Sequence, residues 1–250
     1  MFYIILNKIK VFSFFCFLLF SFTSVSNASV VISGTRLIYN SEDSAKTIQL
    51  NNKDVFPNVV QAWIDVGDEE SSPENSKAPF FLSPAIFRMD ANSGQNLRII
   101  FTGSESLPED RESLFHLNVL QIPPRDIKKS NKNQMLLMLK NRLKLFYRPK
   151  GISGNPSDLS KNIIFKLNHN NNIWSIDVEN KSGYFASFGN AEVEYQEGRA
   201  TLKHSMVAPY SKKTWEFDTP FKKPEGPISI RTQLINDYGA RIDLSQKLDH

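Results

Sequence analysis

Short segments in which apolar and polar residues alternate recur along the chain, and they constrain the fold more than any other feature. In one of them, Val60, Ala62 and Ile64 lie on one side of an extended backbone. Such segments, rich in β-branched and aromatic residues, are typical of strands that bury one face. Turn residues separate them, and no long segment has helical periodicity. The sequence therefore predicts an all-β protein made of antiparallel sandwiches.

The predicted strands fall into two groups on either side of residues 150–160, where Gly, Pro and Ser are concentrated as in a linker. They lie at residues 30–32, 36–39, 47–50, 58–66, 97–101, 115–119, 134–150, 163–167, 174–178, 191–196, 213–217, 228–235 and 240–244. We expect two β-sandwich domains, at residues 29–150 and 151–250.

The first 28 residues predict a signal peptide rather than part of the fold. Lys8 and Lys10 precede an almost wholly apolar run at residues 11–22, and small residues follow at 26–28. A charged head, an apolar middle and a small-residue exit are the features of a cleaved export signal. The only cysteine, Cys16, lies in this segment. The mature chain is therefore expected to lack disulfides, thiol catalysis and cysteine metal sites.

The charge balance does not indicate a nucleic-acid partner. Without Lys8 and Lys10, the 30 basic residues become 28 against 26 acidic ones. Nucleic-acid binding would require a strong excess of positive charge on one face. The basic cluster of Lys128, Lys129 and Lys132 has no interleaved aromatic residues, so it is interpreted as a solvated loop.

No residue pattern predicts an enzyme, a cofactor or a metal site. The histidines lack the companions that metal motifs require, and His116 is interpreted as a structural strand residue with satisfied hydrogen bonds. The four histidines are His116, His169, His204 and His250. Neither a GxSxG elbow nor a Gly-rich phosphate loop is present in the sequence.

The segment 134–150 (QMLLMLKNRLKLFYRPK) is too apolar to be exposed to water and too short to span a bilayer. Its uninterrupted apolar start suits a strand that is covered on both faces, and its Arg-Pro pair ends the strand. One cover can be the protein's own core. The other is either more of this chain or a partner, and the residues alone leave both open.

Several motifs resemble the periplasmic chaperones of the chaperone–usher pilus pathway, the PapD-like family. The most specific are ESLFHLNVLQIPP at 112–124 and KLFYRP at 144–149. Further matches lie at residues 34–39, 63–65, 87–90, 206–210 and 236–240. The resemblance covers nearly the whole mature chain. It implies two immunoglobulin-like domains in a boomerang arrangement, with a subunit-binding cleft between them.

The resemblance also implies roles for individual residues. The cleft arginine and lysine of the family fall on Arg36 and Lys144, which would bind the C-terminal carboxylate of a pilus subunit. Without the flanking motifs these two would be interpreted as solubilising surface charges. The family's interdomain charge network falls on Glu112, Arg148 and Asp237.

The family's donor residues fall on Met135, Leu137 and Leu139, which would fill the groove of a pilus subunit that lacks its last strand. The alternative is that these three side chains fill the chain's own core. The mature chain lacks the cysteine pair of the long-loop class, although the loop after Pro124 is slightly longer than in short-loop members. The short-loop class is therefore favoured.

The sequence thus predicts a non-enzymatic periplasmic chaperone that binds pilus subunits and delivers them to an outer-membrane usher. The alternative is a secreted β-sandwich adhesin or structural pilus subunit. Such a subunit would typically consist of one incomplete domain, whereas this chain is predicted to contain two complete domains. Self-association of the free protein through its exposed strand is left open.

Overall fold

The computed structural model describes residues 29–125, 135–196, 198–222 and 226–248. The predicted signal peptide, the lysine cluster at 128–132 and His250 lie outside these residues. Within them, the regular structure consists of β-strands and one 3-10 helix, Pro156–Asn162. No described helix is long and apolar enough to cross a membrane. The prediction of an all-β protein with two sandwich domains is confirmed.

The first sandwich comprises two sheets, with strand orders β1-β3-β7-β5 and β2-β9-β8-β4-β6. Its strands are β1 (Val30–Ile32), β2 (Arg36–Asn40), β3 (Lys46–Asn52), β4 (Asn58–Asp65), β5 (Phe80–Ser83), β6 (Ile86–Met89), β7 (Gly94–Phe101), β8 (Ser113–Ile122) and β9 (Leu139–Arg148). Alternate residues of each sheet meet in one core. Leu50, Leu97, Leu117 and Leu145 are fully buried there.

The second sandwich is built in the same way, from sheets of order β10-β11-β14 and β13-β12-β15-β16. Its strands are β10 (Ile163–Asn170), β11 (Ile173–Asn180), β12 (Phe188–Tyr195), β13 (Gly198–Thr201), β14 (Ser211–Glu216), β15 (Ile228–Ile235) and β16 (Arg241–Leu248). Trp215 is buried at its centre, with its ring 4.8 Å from that of Phe188. Each sandwich therefore has its own hydrophobic core.

The strand predicted at 134–150 begins later in the structure, at Leu139, because its pairing with β8 begins there. Strand β8 ends at Ile122, and its last pairing with β9 joins Gln121 to Leu139. On the other side, β2 pairs only with the second half of β9, from Lys144 onwards. Residues 135–138 consequently have no neighbouring strand in the described part of the chain.

Three strands were not predicted, and one pairing differs from the expected antiparallel pattern. Strands β5, β6 and β13 have four residues each, too few for a clear alternation. The pairing of β2 with β9 is parallel. The two strands are about a hundred residues apart, so the tertiary fold sets their direction.

Two leucines near β9 provide a test of which half belongs to the chain's own core. Leu145 has no exposed surface, whereas Leu137 is 66% exposed. We expect Leu145→Ala to lower the free energy of unfolding of the first domain by about 2–5 kcal/mol, because it leaves a buried cavity. Leu137→Ala should change it by no more than about 0.5 kcal/mol. Urea titration followed by circular dichroism measures both, and equal losses would contradict this division of the strand.

Candidate functional site

Arg36 and Lys144 are neighbours, because the parallel pairing of β2 and β9 places them directly opposite each other. Both are partly buried, on the side of the first domain that faces the second. The Nη1 atom of Arg36 donates a hydrogen bond to the carbonyl oxygen of Ile235 at 3.0 Å. The Arg36 guanidinium also lies 5.8 Å from the centre of the Phe146 ring. A residue from each domain therefore fixes the arginine.

Lys144 differs from the other basic residues on its face of β9, which have partners. Lys140 donates to the carbonyl oxygen of Glu69, Arg142 pairs with Asp65, and Arg148 pairs with Glu112. Within the described part of the chain, neither Lys144 nor Arg36 forms an ion pair with an acidic side chain. Arg36 and Lys144 are thus two adjacent positive charges with no carboxylate in direct contact among the described residues.

The local environment disfavours these two charges in the free protein. Burial lowers the pKa of Arg36, and nearby acidic charges only partly offset it. Burial, followed by the positive charge of Arg36, lowers the pKa of Lys144. A negatively charged group placed between them would relieve both effects. The planar guanidinium can bind a carboxylate through two hydrogen bonds, and the ammonium adds a compact charge.

The cleft beside Arg36 is open and large enough for the end of a polypeptide. Its volume is about 340 Å³. Its walls combine the Phe146 and Phe185 rings with Ile242 and the exposed ring of Tyr238. An extended segment could therefore place a carboxylate at the cationic end and apolar side chains along the walls.

Glu112, Arg148 and Asp237, predicted as an interdomain network, come together at the base of this cleft. The Nε atom of Arg148 donates to Glu112 at 2.8 Å. Its two terminal nitrogens donate to the Asp237 carboxylate at 2.7 and 2.9 Å. Glu112 and Arg148 belong to the first domain and Asp237 to the second. The guanidinium thus joins the domains through a bidentate ion pair.

Main-chain contacts strengthen the same junction. The backbone N–H of Phe185 donates to the Glu112 carboxylate at 2.8 Å, and the N–H of Glu112 donates to the Gly183 carbonyl at 2.9 Å. Burial raises the pKa of Glu112, which the Arg148 charge only partly offsets. For Arg148, burial acts to lower the pKa, but the hydrogen bonds and charges of Asp237 and Glu112 outweigh it and raise the pKa.

A second contact between the domains depends on Gly239, which sequence reasoning placed only in a motif. Its φ of +82° lies in the left-handed region that glycine tolerates best. A β-carbon at this position would lie 2.5 Å from the Oγ1 atom of Thr35. A side chain here would therefore require the Thr35 side chain or the domains to shift.

Met135, Leu137 and Leu139 do not belong to the core of the free protein. They are 93%, 66% and 43% exposed. Leu139 alternates along β9 with the buried Leu143 and Leu145, so it continues the core face of the strand. The exposed apolar segment thus leads directly out of the hydrophobic core.

The surroundings of His116 differ from those predicted. The Nδ1 atom of His116 is buried, forms no hydrogen bond and lies 3.8 Å from the Asp65 carboxylate. The prediction of a fully satisfied histidine is therefore wrong, because the nearby Asp65 carboxylate is occupied by other donors. The His169 ring stacks on Trp174, and His204 packs against Trp215. The described residues contain no group of three side chains suited to a metal ion.

The junction between the domains can be tested by removing its cation. We expect Arg148→Ala to lower the free energy of unfolding by about 3–5 kcal/mol, because Glu112 would keep a buried charge without its partner. Arg231→Ala, which breaks an exposed ion pair with Glu194, is the control and should cost no more than about 1 kcal/mol. Denaturant unfolding measures both. Equal effects would mean that the network adds nothing beyond a surface pair.

Comparisons with known proteins match both domains to one family. Residues 29–153 match the family described as "Pili and flagellar-assembly chaperone, PapD N-terminal domain". Residues 158–246 match "Pili assembly chaperone PapD, C-terminal domain". Together the matches cover most of the chain.

Similar proteins have chaperone names. The probable fimbrial chaperone YadV of Escherichia coli K12 is 36% identical over 230 residues, covering 91% of this chain and 93% of that protein. The chaperone FimB/FhaD of Bordetella pertussis is 37% identical over 225 residues, 89% of each chain. The crystal structure of YadV superposes with a TM-score of 0.77 at 33% identity, covering 88% of this chain and all of that one. The Salmonella enterica SafB chaperone, solved in complex with the SafA pilin, gives a TM-score of 0.72 at 26% identity, with coverages of 90% and 99%.

Proposed function

This chain belongs to the PapD family of pilus-assembly chaperones, and we propose that it captures pilus subunits by adding a strand to their incomplete fold. The added strand comprises residues 135–139, at the start of β9. The observation that carries the proposal is an apolar segment left uncovered where β9 leaves its own sheet. Met135, Leu137 and Leu139 are exposed there, and Leu139 shares the core face of β9 with the buried Leu143 and Leu145.

The free edge of β9 provides main-chain hydrogen bonds for a partner strand. Residues Leu139–Leu143 pair with β8 on one side only, because β2 begins to pair at Lys144. An incoming polypeptide can use the unpaired N–H and C=O groups in the way known from chaperone–pilin strand addition. Each buried large apolar side chain would add about 1.5–3 kcal/mol to binding, and each hydrogen bond about 0.5–1.5 kcal/mol.

Arg36 and Lys144 set the register of the bound strand by binding the subunit's terminal carboxylate. A shift of one residue would turn the apolar side chains of a strand to the wrong face. A fixed carboxylate at Lys144 places the subunit's last strand beside Leu139–Leu143. The strand then supplies most of the affinity, and the two cations supply the alignment.

The Glu112–Arg148–Asp237 network keeps the two walls of the cleft at a constant separation. Arg148 follows Lys144 by four residues on the same strand, so the network orients the second domain near the carboxylate site. Buried ion pairs of this kind contribute more to orientation than to net stability.

The proposed cellular role follows from the family. The chain acts without catalysis in the periplasm, shields subunits from aggregation and delivers them to an outer-membrane usher. Release occurs when a neighbouring subunit's N-terminal extension replaces the donor strand. The adhesin or pilus-subunit alternative is disfavoured, because both sandwiches have complete cores of their own.

Leu137→Asp tests strand donation. Because Leu137 is exposed in the free protein, we expect the variant to fold with unchanged stability. A charge inside the subunit's apolar groove should abolish the one-to-one complex. Co-expression with a pilus subunit of the same organism, followed by size-exclusion chromatography, measures capture. Ile173→Asp, which places a charge at a similarly exposed apolar residue of the second domain, is the control and should still form the complex. Full capture by Leu137→Asp would contradict groove filling.

The pH dependence of peptide binding tests the carboxylate anchor. The pKa of Lys144 lies below its ordinary 10.5 in the free protein, and a bound carboxylate raises it by stabilising the ammonium. Affinity should therefore be full while free Lys144 is charged and should fall as the pH rises through its lowered pKa. Calorimetry with a synthetic peptide of the subunit's C-terminal strand measures this fall.

Three controls isolate the contribution of the lysine in this titration. Lys144→Arg should retain affinity at alkaline pH, because arginine stays charged. Arg36→Ala and Lys144→Ala should each weaken binding by about 2–5 kcal/mol at neutral pH. An amidated peptide should bind weakly throughout. Equal binding of the acid and amide peptides would eliminate the anchor.

A further inference from the structure

A buried carboxylate of the first sandwich has four hydrogen-bond donors and no role in the proposed carboxylate anchor. Asp65 ends β4 and is 1% exposed. Its Oδ1 atom accepts from the Gly67 N–H and from Nη2 of Arg142, both at 2.7 Å. Its Oδ2 atom accepts from Ser71 at 3.0 Å and from Asn118 at 2.6 Å. This carboxylate is therefore fully bonded.

The ion pair between Asp65 and Arg142 crosses three strands. Arg142 lies on β9 opposite Asn118 of β8, and Asp65 lies on β4 opposite His116 of β8. The guanidinium therefore reaches over β8 to the end of β4. Its Nη1 atom also lies 3.5 Å from the Glu69 carboxylate.

Lys140 strengthens the same attachment from the next residue on this face of β9. Its ammonium donates to the main-chain carbonyl oxygen of Glu69 at 2.8 Å. The turn after β4 is itself held to the sheet, because the Ser71 hydroxyl accepts from the Trp63 indole at 3.0 Å. Lys140 and Arg142 of β9 thus both contact a turn that is itself hydrogen-bonded to the sheet.

The attached part of β9 is the half with only one neighbouring strand. Leu139–Leu143 pairs with β8 but not with β2. We propose that Asp65 and Arg142 are positioning residues for subunit capture: their ion pair holds this half of β9 flat on β8, so that the donor segment leaves the sheet already extended. This inference rests on the proposed function. The ion pair favours rapid capture, because a donor strand that is already ordered loses less conformational freedom on binding.

The protonation states of Asp65 and His116 at neutral pH favour the ion pair between Asp65 and Arg142. Burial acts to raise the pKa of Asp65, but hydrogen bonds from Asn118, Arg142, Gly67 and Ser71 outweigh it and lower the pKa. Asp65 therefore stays ionised at neutral pH. Burial and the Arg142 charge lower the pKa of His116. The histidine stays neutral there and adds no competing cation.

The brace itself can be tested on the free protein. We expect Arg142→Met to speed amide hydrogen exchange of the β8-paired Leu139–Leu143 segment by about tenfold or more, with exchange in β3 and β7 unchanged. Mass spectrometry of peptic fragments measures this. Arg231→Met, which removes an exposed arginine of the second domain, is the matched control and should leave exchange of β9 as in the wild type. Unchanged exchange of β9 in Arg142→Met would overturn the inference.

Capture kinetics test the consequence for function. The probe is a denatured pilus subunit of the same organism without its N-terminal extension, mixed with folded chaperone in a stopped-flow experiment. We expect Arg142→Met to slow association by about five- to tenfold with little change in dissociation, because the strand must be ordered during binding. Arg142→Lys, which keeps the charge, should restore part of the rate. A purely stabilising role would lower the melting temperature and leave both rate constants of the folded protein unchanged, which would also overturn the inference.

A second variant guards against misfolding of Arg142→Met, which leaves Asp65 without its cation. Asp65→Asn/Arg142→Gln removes both charges and should show the same faster exchange and slower association. Failure of the wild-type chain to capture the subunit would refute the proposed function instead. Capture by the wild type together with equally fast capture by the double variant would refute the brace alone.

Discussion

The structure depends on a strand that is longer than the sheet available to pair it. Among the described residues, β9 lies between β2 and β8 from Lys144 onwards and has β8 alone as a neighbour from Leu139 to Leu143. Residues 135–138, which precede β9, pair with no described strand. Along this path the core face passes from the buried Leu145 and Leu143 to the exposed Asn141 and Leu139, while cover from the protein's own backbone disappears. A hydrophobic core built for one domain therefore ends in side chains that can enter a second. The uncovered surface is a direct consequence of where β2 begins and β8 ends.

Two arginines and a lysine on one face of β9 show how charge pairing separates structural from binding roles. Arg142 and Arg148 each bind a buried carboxylate and brace the fold, at the sheet and at the domain junction. Lys144 lies between them without an acidic partner, beside Arg36. Because a half-buried cation is stabilised by an added anion, these two cations are the place where we propose that the subunit's carboxylate binds. The ion pairs of Arg142 and Arg148, which lie on either side of Lys144 along β9, restrain this part of the strand.

Sequence reasoning was most successful where local pattern and function coincide. Alternation at Val60, Ala62 and Ile64 was enough to predict a strand of the first sandwich. Family motifs led to Glu112, Arg148 and Asp237, which the structure brings within hydrogen-bonding distance although Asp237 is distant in the chain. The roles of Arg36, Lys144 and the donor residues remain predictions. Their geometry, two adjacent cations and an exposed apolar segment, is compatible with those roles.

The missed features are those that depend on partners distant in sequence. The apolar character of residues 134–150 predicted one strand over that range, but it could not show that the neighbouring strands stop at Leu139. The parallel β2–β9 pair and the Asp65–Arg142 ion pair likewise depend on tertiary contacts, and four-residue strands such as β5 have too few residues to show a period. For the same reason, Arg142 and Lys144 are equivalent in the alternating sequence pattern.

An exposed strand edge normally favours aggregation. The free edge of β9 combines apolar side chains, which favour association, with charged side chains, which oppose it. Its apolar side chains lie on one face, while Lys140 and Arg142 occupy the other and carry charges that disfavour indiscriminate edge pairing. A partner strand must therefore present an apolar groove to one face and tolerate cations on the other. In the proposed function, its carboxylate must also reach Arg36 and Lys144 at one end. These three conditions together would select an incomplete sandwich with a free C-terminus over an arbitrary unfolded chain, because few other polypeptides meet all three in one register.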